Sequence, residues 1–202
     1  MNRSTILRFS PLASIILWLF SACSYTARQT FEIGDGGLLS GKPCTAPCFY
    51  NIIPGITTEK KTLEIFSAEL DVNTNCDYWA KDNNGPAEGI NCQTFTIIFN
   101  DSSMVRMVSF KPSQPIKVAE VIKKFGPPDG VSLGISGTEI QPPICMALYF
   151  DRENMILHLP EQSSDSYNLL GLTPIESVEY DDRDTYARYR KIDYIWKGLG
   201  KY

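Results

Sequence analysis

The residues able to do chemistry in this chain are few: six cysteines and one histidine, set among scattered acids. Cys44-Thr-Ala-Pro-Cys48 places two thiols four positions apart, a spacing open to use as a redox pair, half a metal site or a staple. Redox enzymes use Cys-x-x-Cys and lower a thiol pKa with a helix start; here three residues intervene and no helix is expected between them. Structural zinc takes four Cys or His ligands in paired short spacings, and Cys44 and Cys48 have no second pair at such spacing. His158 sits in Met-Ile-Leu-His-Leu-Pro, between apolar neighbours on an expected strand, and reads as a structural histidine. A triad would need a nucleophile and an acidic orienter beside it, yet no Gly-x-Ser-x-Gly occurs; Gly134-Ile135-Ser136-Gly137 falls one residue short. Asp182 and Asp184 alternate, but the Gly and distant Glu of a calcium loop are missing. Gly34-Asp35-Gly36-Gly37 lacks the Lys-Ser/Thr of a phosphate loop. Two acids distant in sequence can still meet in space, as glycoside hydrolysis requires. The residues themselves lead us to expect no catalytic group, metal or cofactor.

Which use the thiols serve depends on compartment, and the first 22 residues speak to that. They carry Arg3 and Arg8, no acid, and an apolar run from Leu12 to Phe20. This is a basic n-region followed by an h-region, too short for a span of about 20 residues. Leu19-Phe20-Ser21-Ala22-Cys23 then resembles the lipobox of bacterial lipoproteins, with Phe20 where Leu, Ile or Val is usual. The resemblance implies cleavage before Cys23 and its acylation; the other readings are plain secretion or an uncleaved anchor. Residues 23–43, with Gly34, Gly36, Gly37 and Gly41, read as a lipid-anchored flexible tether, and 44–202 as one domain. The bilayer is the partner expected through Cys23.

Removing residues 1–22 takes two of 19 basic residues and none of 23 acids, which leaves a net charge of about −6. Nucleic-acid binding needs a basic stripe, so that partner class is excluded. Glu179, Asp181, Asp182 and Asp184 are followed by Arg183, Arg188, Arg190 and Lys191, and read as a solvated mixed-charge surface. Outside the cytoplasm thiols oxidise. Cys76 and Cys92 bracket a polar loop; a bridge there closes about 17 residues, worth roughly 3 kcal/mol, against roughly 2 for Cys44–Cys48. We expect both bridges, with Cys145 left as a buried small hydrophobe.

A pattern recurs along the domain. In the first copy, about 54–110, Thr57 or Thr58 caps a helix burying Leu63, Phe66 and Leu70, with Ile65 beside them. After the 76–92 loop comes a hairpin turning at Asn100-Asp101-Ser102-Ser103. In the second, about 115–160, Pro115 opens a helix burying Val118, Val121, Ile122 and Phe125, which Gly126-Pro127-Pro128 ends. A second hairpin follows, and the turns match: Phe99-Asn100, three residues, then Met104-Val105, and Phe150-Asp151, three residues, then Met155-Ile156. The expected fold is α+β: two helix-plus-β-hairpin repeats forming an antiparallel sheet with helices on one face.

Gly55-Ile56-Thr57 and Phe125-Gly126-Pro127-Pro128 resemble the helix-opening Gly-Met-Thr and helix-closing Leu-Gly-x-Pro signatures of small envelope lipoproteins of the BamE/SmpA type. The β-lactamase-inhibitor proteins use a tandem version of a similar unit. This resemblance implies a domain that works by binding another envelope protein and carries no catalytic residues. The 165–202 segment adds an alternating strand with Ile175, Val178 and Tyr180, then Tyr186, Tyr189, Tyr194, Trp196 and Tyr202. Those aromatics suit an interface or a cap on the core. Tyr78, Trp79, Tyr189, Tyr194 and Trp196 are the candidate partner-binding residues. The alternative is an inhibitor or immunity-type protein plugging a cleft with the 76–92 loop; an unrecognised hydrolase is a third reading.

Overall fold

The computed structural model of the chain describes residues 33–69, 76–79, 88–137, 142–163 and 165–202. Its elements are α1 (Glu59–Glu69), β1 (Cys76–Trp79), β2 (Gly89–Cys92), β3 (Phe95–Phe99), β4 (Val105–Phe110), α2 (Val118–Phe125), β5 (Gly130–Ile135), β6 (Ile144–Phe150), β7 (Met155–Gln162), β8 (Asn168–Leu169), β9 (Ser177–Asp181), α3 (Arg183–Tyr189) and β10 (Gly200–Lys201). Eight strands form one sheet in the order β1-β2-β3-β4-β9-β7-β6-β5. Every pairing in it is antiparallel. The fold is α+β and mostly sheet, and β8 and β10 make a separate ribbon.

Alternation decides which side of the sheet each residue takes. Ile97 and Phe99 on β3, Val108 and Phe110 on β4, Val178 and Tyr180 on β9, and Met155 and Leu157 on β7 face one layer, where α1 and α2 also bury their stripes. β6 is apolar almost throughout because both its faces are covered: Leu148 and Phe150 meet the main core, while Ala147 and Tyr149 join Ile156 and Tyr186 in a smaller cluster. A strand buried on both sides loses its polar alternate positions.

Several local details differ from the sequence expectations. Thr58 caps α1, accepting the Lys61 N–H at Oγ1 (3.2 Å). The buried stripe is Thr62, Ile65 and Phe66, and Leu63 is 44% exposed. Positions 62, 65 and 66 have the i, i+3, i+4 spacing of one face, and the Thr62 hydroxyl is satisfied by the Thr58 carbonyl (3.0 Å). Leu70 lies outside the described residues. α2 starts at Val118, not Pro115, because Ile116 is drawn into the core and Lys117 remains extended in a bridge to Pro174. The ends of the 76–92 loop are paired strands, with Cys76 opposite Cys92 in the ladder.

The tether assignment for 23–43 is corrected from residue 33 onward, since Ile33 and Leu38 belong to the core. Their turn is held by the Asp35 carboxylate, which accepts the N–H groups of Gly37 (3.0 Å), Leu39 (2.9 Å) and Ser40 (2.5 Å). Burial pulls this carboxyl upward, but those N–H groups and the Ser40 hydroxyl outweigh it and hold it below the ordinary range. Both expected disulfides are present, Cys44–Cys48 and Cys76–Cys92. The first directly precedes Phe49, a fully buried ring stacked on Phe110 (4.7 Å between centroids) and also against Phe95 (5.5 Å). Cys145 is free and half-buried on the opposite side of the sheet from the main core, its Sγ lying over Gly134.

Candidate functional site

The sheet's second face carries the polar residues that chemistry would need. β9 sends Val178 and Tyr180 to the core, so Ser177, Glu179 and Asp181 line up on the other side. His158 on β7 lies opposite Ser177, and its Nε2 is 3.4 Å from the Glu179 Oε2. Between β3 and β4 the register slips after Ile98, so Arg106 is the extra residue of a bulge. Its carbonyl accepts the Asp182 N–H (2.8 Å), which brings Arg106 to the end of β9. There Asp182 turns the chain and caps α3, its Oδ1 accepting the Thr185 N–H (2.7 Å).

Asp181 is wedged beneath this junction, only 2% exposed, and neither carboxylate oxygen has a hydrogen-bond donor; the Arg106 Nε is likewise buried without an acceptor. The sequence reading of Glu179, Asp181, Asp182 and Asp184 as a solvated face therefore fails at Asp181. Burial, then the neighbouring Glu179 and Asp182 carboxylates, push its carboxyl up to about 8, against the pull of Arg106. Raised this far, the Asp181 carboxyl keeps its proton at neutral pH, with neither oxygen in a hydrogen bond. General acid–base work also requires contact with a substrate, and the atom holding the proton is closed to solvent. His158, with 42% of its side chain exposed, is the open end of the cluster.

The same face differs from one half to the other. Over β5, β6 and β7 it is covered by α3 and the following segment: Tyr186 is buried against Tyr149 and Ile156, and Ile192 packs with them. α3 is fixed there by Asp151, which accepts the Tyr186 hydroxyl (2.9 Å) and two Arg190 nitrogens (2.7 and 2.6 Å). Over β1 to β4 the described residues place nothing comparable. The ladder there aligns Trp79, Gly89, Ile98 and Met107 in one row that ends at Asp181. The Trp79 ring lies against Gly89, where a Cβ would stand 2.5 Å from it. Ile98 and Met107 are half-buried.

The five candidate binding residues do not form one platform. Tyr78 and Trp79 are on β1 at one edge of the sheet, and the Tyr78 side chain is outside the described residues. Tyr194 pairs with Val131 of β5 at the other edge, seven strand spacings or roughly 34 Å away. Tyr189 ends α3 and is 57% exposed. Trp196 stacks on Tyr202 (6.3 Å between centroids) and packs against the core, the capping role rather than the binding one. Ile98, Met107 and Arg106 were missed, although the β3–β4 alternation marks Ile98 and Met107 as apolar residues on the side away from the core.

A separate open groove of about 590 Å³ runs between α1 and the β3–β4 turn, lined by Leu63, Ser67, Ser102 and Ser103 among others. Among the described residues no group of three or more His, Cys, Asp or Glu is placed to hold a metal ion. Among them, too, no helix is long and apolar enough to cross a membrane. The chain matches no family model, no curated protein and no solved structure.

Proposed function

We propose that this is a non-enzymatic lipoprotein of the bacterial cell envelope, anchored through Cys23, whose domain binds another envelope protein through the face of β1 to β4 over which the described residues place no helix. The observation that carries the binding role is the asymmetry of that face. Its β5–β7 half has a helix over it, and its β1–β4 half presents the row of Trp79, Ile98 and Met107. An aromatic and aliphatic strip bordered by polar Thr96, Ser109 and Arg106 has the composition of an interface centre and rim. The two disulfides support an oxidising compartment, in keeping with the export signal.

The duplicated-unit reading draws support from strand order. β1-β2-β3-β4 and β5-β6-β7-β9 run outward from a central antiparallel β4–β9 pair, and α1 and α2 each precede one half on the same layer. In that correspondence β3 and β4 match β7 and β9, so the similar turns at 99–105 and 150–156 belong to non-equivalent hairpins. An inhibitor that plugs a cleft would want an aromatic at a loop tip, and Trp79 instead lies on the sheet. A hydrolase would draw on His158 and Glu179, whose acidic neighbour Asp181 is sealed off.

A photo-crosslinking amino acid at position 98 of the membrane-anchored protein tests the proposal in intact cells. A discrete adduct with one envelope protein is expected, weakened when Met107 is changed to Glu. Equal or stronger crosslinking from exposed position 135, with none from 98, would move the binding surface elsewhere.

A further inference from the structure

The Asp181 carboxyl stands at the joint where the chain leaves the sheet to cover it. Its N–H donates to the Asn154 carbonyl (3.1 Å); the next residue turns away, the Asp182 N–H donating to the Arg106 carbonyl (2.8 Å) and the Asp182 carboxylate capping α3. Asp181 is 2% exposed, no donor reaches either carboxylate oxygen, and the neighbouring Arg106 Nε has no acceptor. A carboxyl shut away from water without donors is stable in its neutral form, because an unpaired charge is costly to bury. To ionise, Asp181 has to lose its cover.

The charged groups around it do not relieve that cost. Glu179 on β9 and Asp182 at the cap are acids, and His158 of β7 lies behind Glu179, its Nε2 3.4 Å from Oε2. Arg106 of β4 favours ionisation and is outweighed by burial and the two acids, which push the carboxyl up to about 8. In the turn that ends at Asn154, Asp151 is bound to Tyr186 and Arg190, and Glu153 interacts with Arg152 and Asp129. On α3 the side chains of Arg183, Asp184 and Arg188 are exposed, and the 53–57 segment, which approaches Asp182 at Gly55, carries no charge.

Of the elements around Asp181, α3 is held least. β4 and β7 flank β9 with antiparallel ladders inside the eight-stranded sheet. α3 has seven residues and buries only Thr185 and Tyr186. Beyond its cap it is fixed by Asp151, and the following segment by Ile192 against Gly130 and Tyr194 against Val131. Burial and the bond to Asp151 hold the Tyr186 hydroxyl above its ordinary range, and the same carboxylate raises Arg190, so these two partners keep their protons when Asp181 loses its own. Local opening starts from elements with few buried contacts.

We propose that α3 is a proton-controlled cover, closed over the sheet while Asp181 is protonated and released, with the sheet intact, when Asp181 ionises. Release would expose Tyr149 and Ile156 on the face that carries Trp79, Ile98 and Met107. The inference stands without the partner-binding reading. The closed state keeps its proton up to about pH 8, whereas an aspartate in water loses it near about 3.9. Between those values the open population grows by up to about tenfold per pH unit, and it levels off above the higher one.

Tryptic cleavage after Arg188 in the full chain, held in mild detergent and read by mass spectrometry, follows the open state when opening and closing are fast. Relative to Asp181→Asn, which is neutral throughout, that cleavage should rise about tenfold from pH 7 to pH 9. Cleavage after Arg106, inside β4, should stay slow. Arg106→Gln removes the charge that favours ionisation and keeps the carbonyl that holds Asp182, so its cleavage after Arg188 should still be rising at pH 9, where the parent has levelled off. This second comparison decides the matter if Asp181→Asn does not fold. Equal profiles in the parent and Asp181→Asn, or in the parent and Arg106→Gln, overturn the proposal. Cleavage after Arg106 that rises in step with Arg188 also overturns it, since the whole domain is then opening.

Discussion

Asp181 holds its proton in the folded state up to about pH 8, against about 3.9 for an unfolded aspartate. Between those values the folded chain binds more protons than the unfolded one, so this group makes stability fall as pH rises through the window. The groups facing it are Glu179 on its own strand, Asp182 at the helix cap, Arg106 on β4 and, through Glu179, His158 on β7. Asp181→Asn keeps the side chain's size and removes the titration, so its urea midpoint should decline less than that of the parent between pH 5 and pH 9. Parallel declines would mean that Asp181 is ionised throughout. Gly89→Ala puts a Cβ 2.5 Å from the Trp79 ring and 2.8 Å from the Ile97 carbonyl. It should cost about 1–3 kcal/mol and shift the Trp79 emission, and a neutral substitution would mean the ring is not seated there. Neither position stood out in the sequence. Gly89 sat in what read as a loop, and Asp181 among acids that looked solvated, because burial on the second face comes from a helix whose charged sequence gave no sign of it.

At the scale of elements, the two disulfides tie the chain at different depths. Cys76–Cys92 joins the edge strand β1 to β2, and Cys44–Cys48 holds the turn that delivers Phe49 to the core. Replacing the first pair by serine should lower stability by roughly 3 kcal/mol and the second by roughly 2, read by urea unfolding. The reverse order would show that seating Phe49 outweighs loop closure. The β3–β4 and β6–β7 hairpins were legible because their strands are rich in aromatic and β-branched residues and their turns carry Asn or Asp. β1, β2 and β5 were not, being short or glycine-containing and dependent on a neighbour for their pairing. α3 buries only Thr185 and Tyr186, too few apolar positions to reveal a helical period, and α1 was read one residue out of phase because Leu63 outranks Thr62 in apolarity.

For the molecule as a whole, the α+β class followed from the pattern of apolar residues, whereas the expected helices on one face are corrected: α1 and α2 bury their stripes on one side of the sheet and α3 covers part of the other. The surface that distinguishes one half of the sheet from the other depends on where residues 183–192 fold back, a tertiary fact without a local signature. The proposed function comes to one arrangement: a domain held at a bilayer by Cys23, with the Trp79–Ile98–Met107 row turned to a partner. Export and acylation are the condition on which that arrangement stands. The direct measurement is the intact mass and amino-terminal sequence of the mature protein extracted from its native membrane with detergent. The account predicts a chain beginning at Cys23 and heavier than its polypeptide by diacyl or triacyl substitution; a chain beginning elsewhere, or an unmodified Cys23, would contradict it.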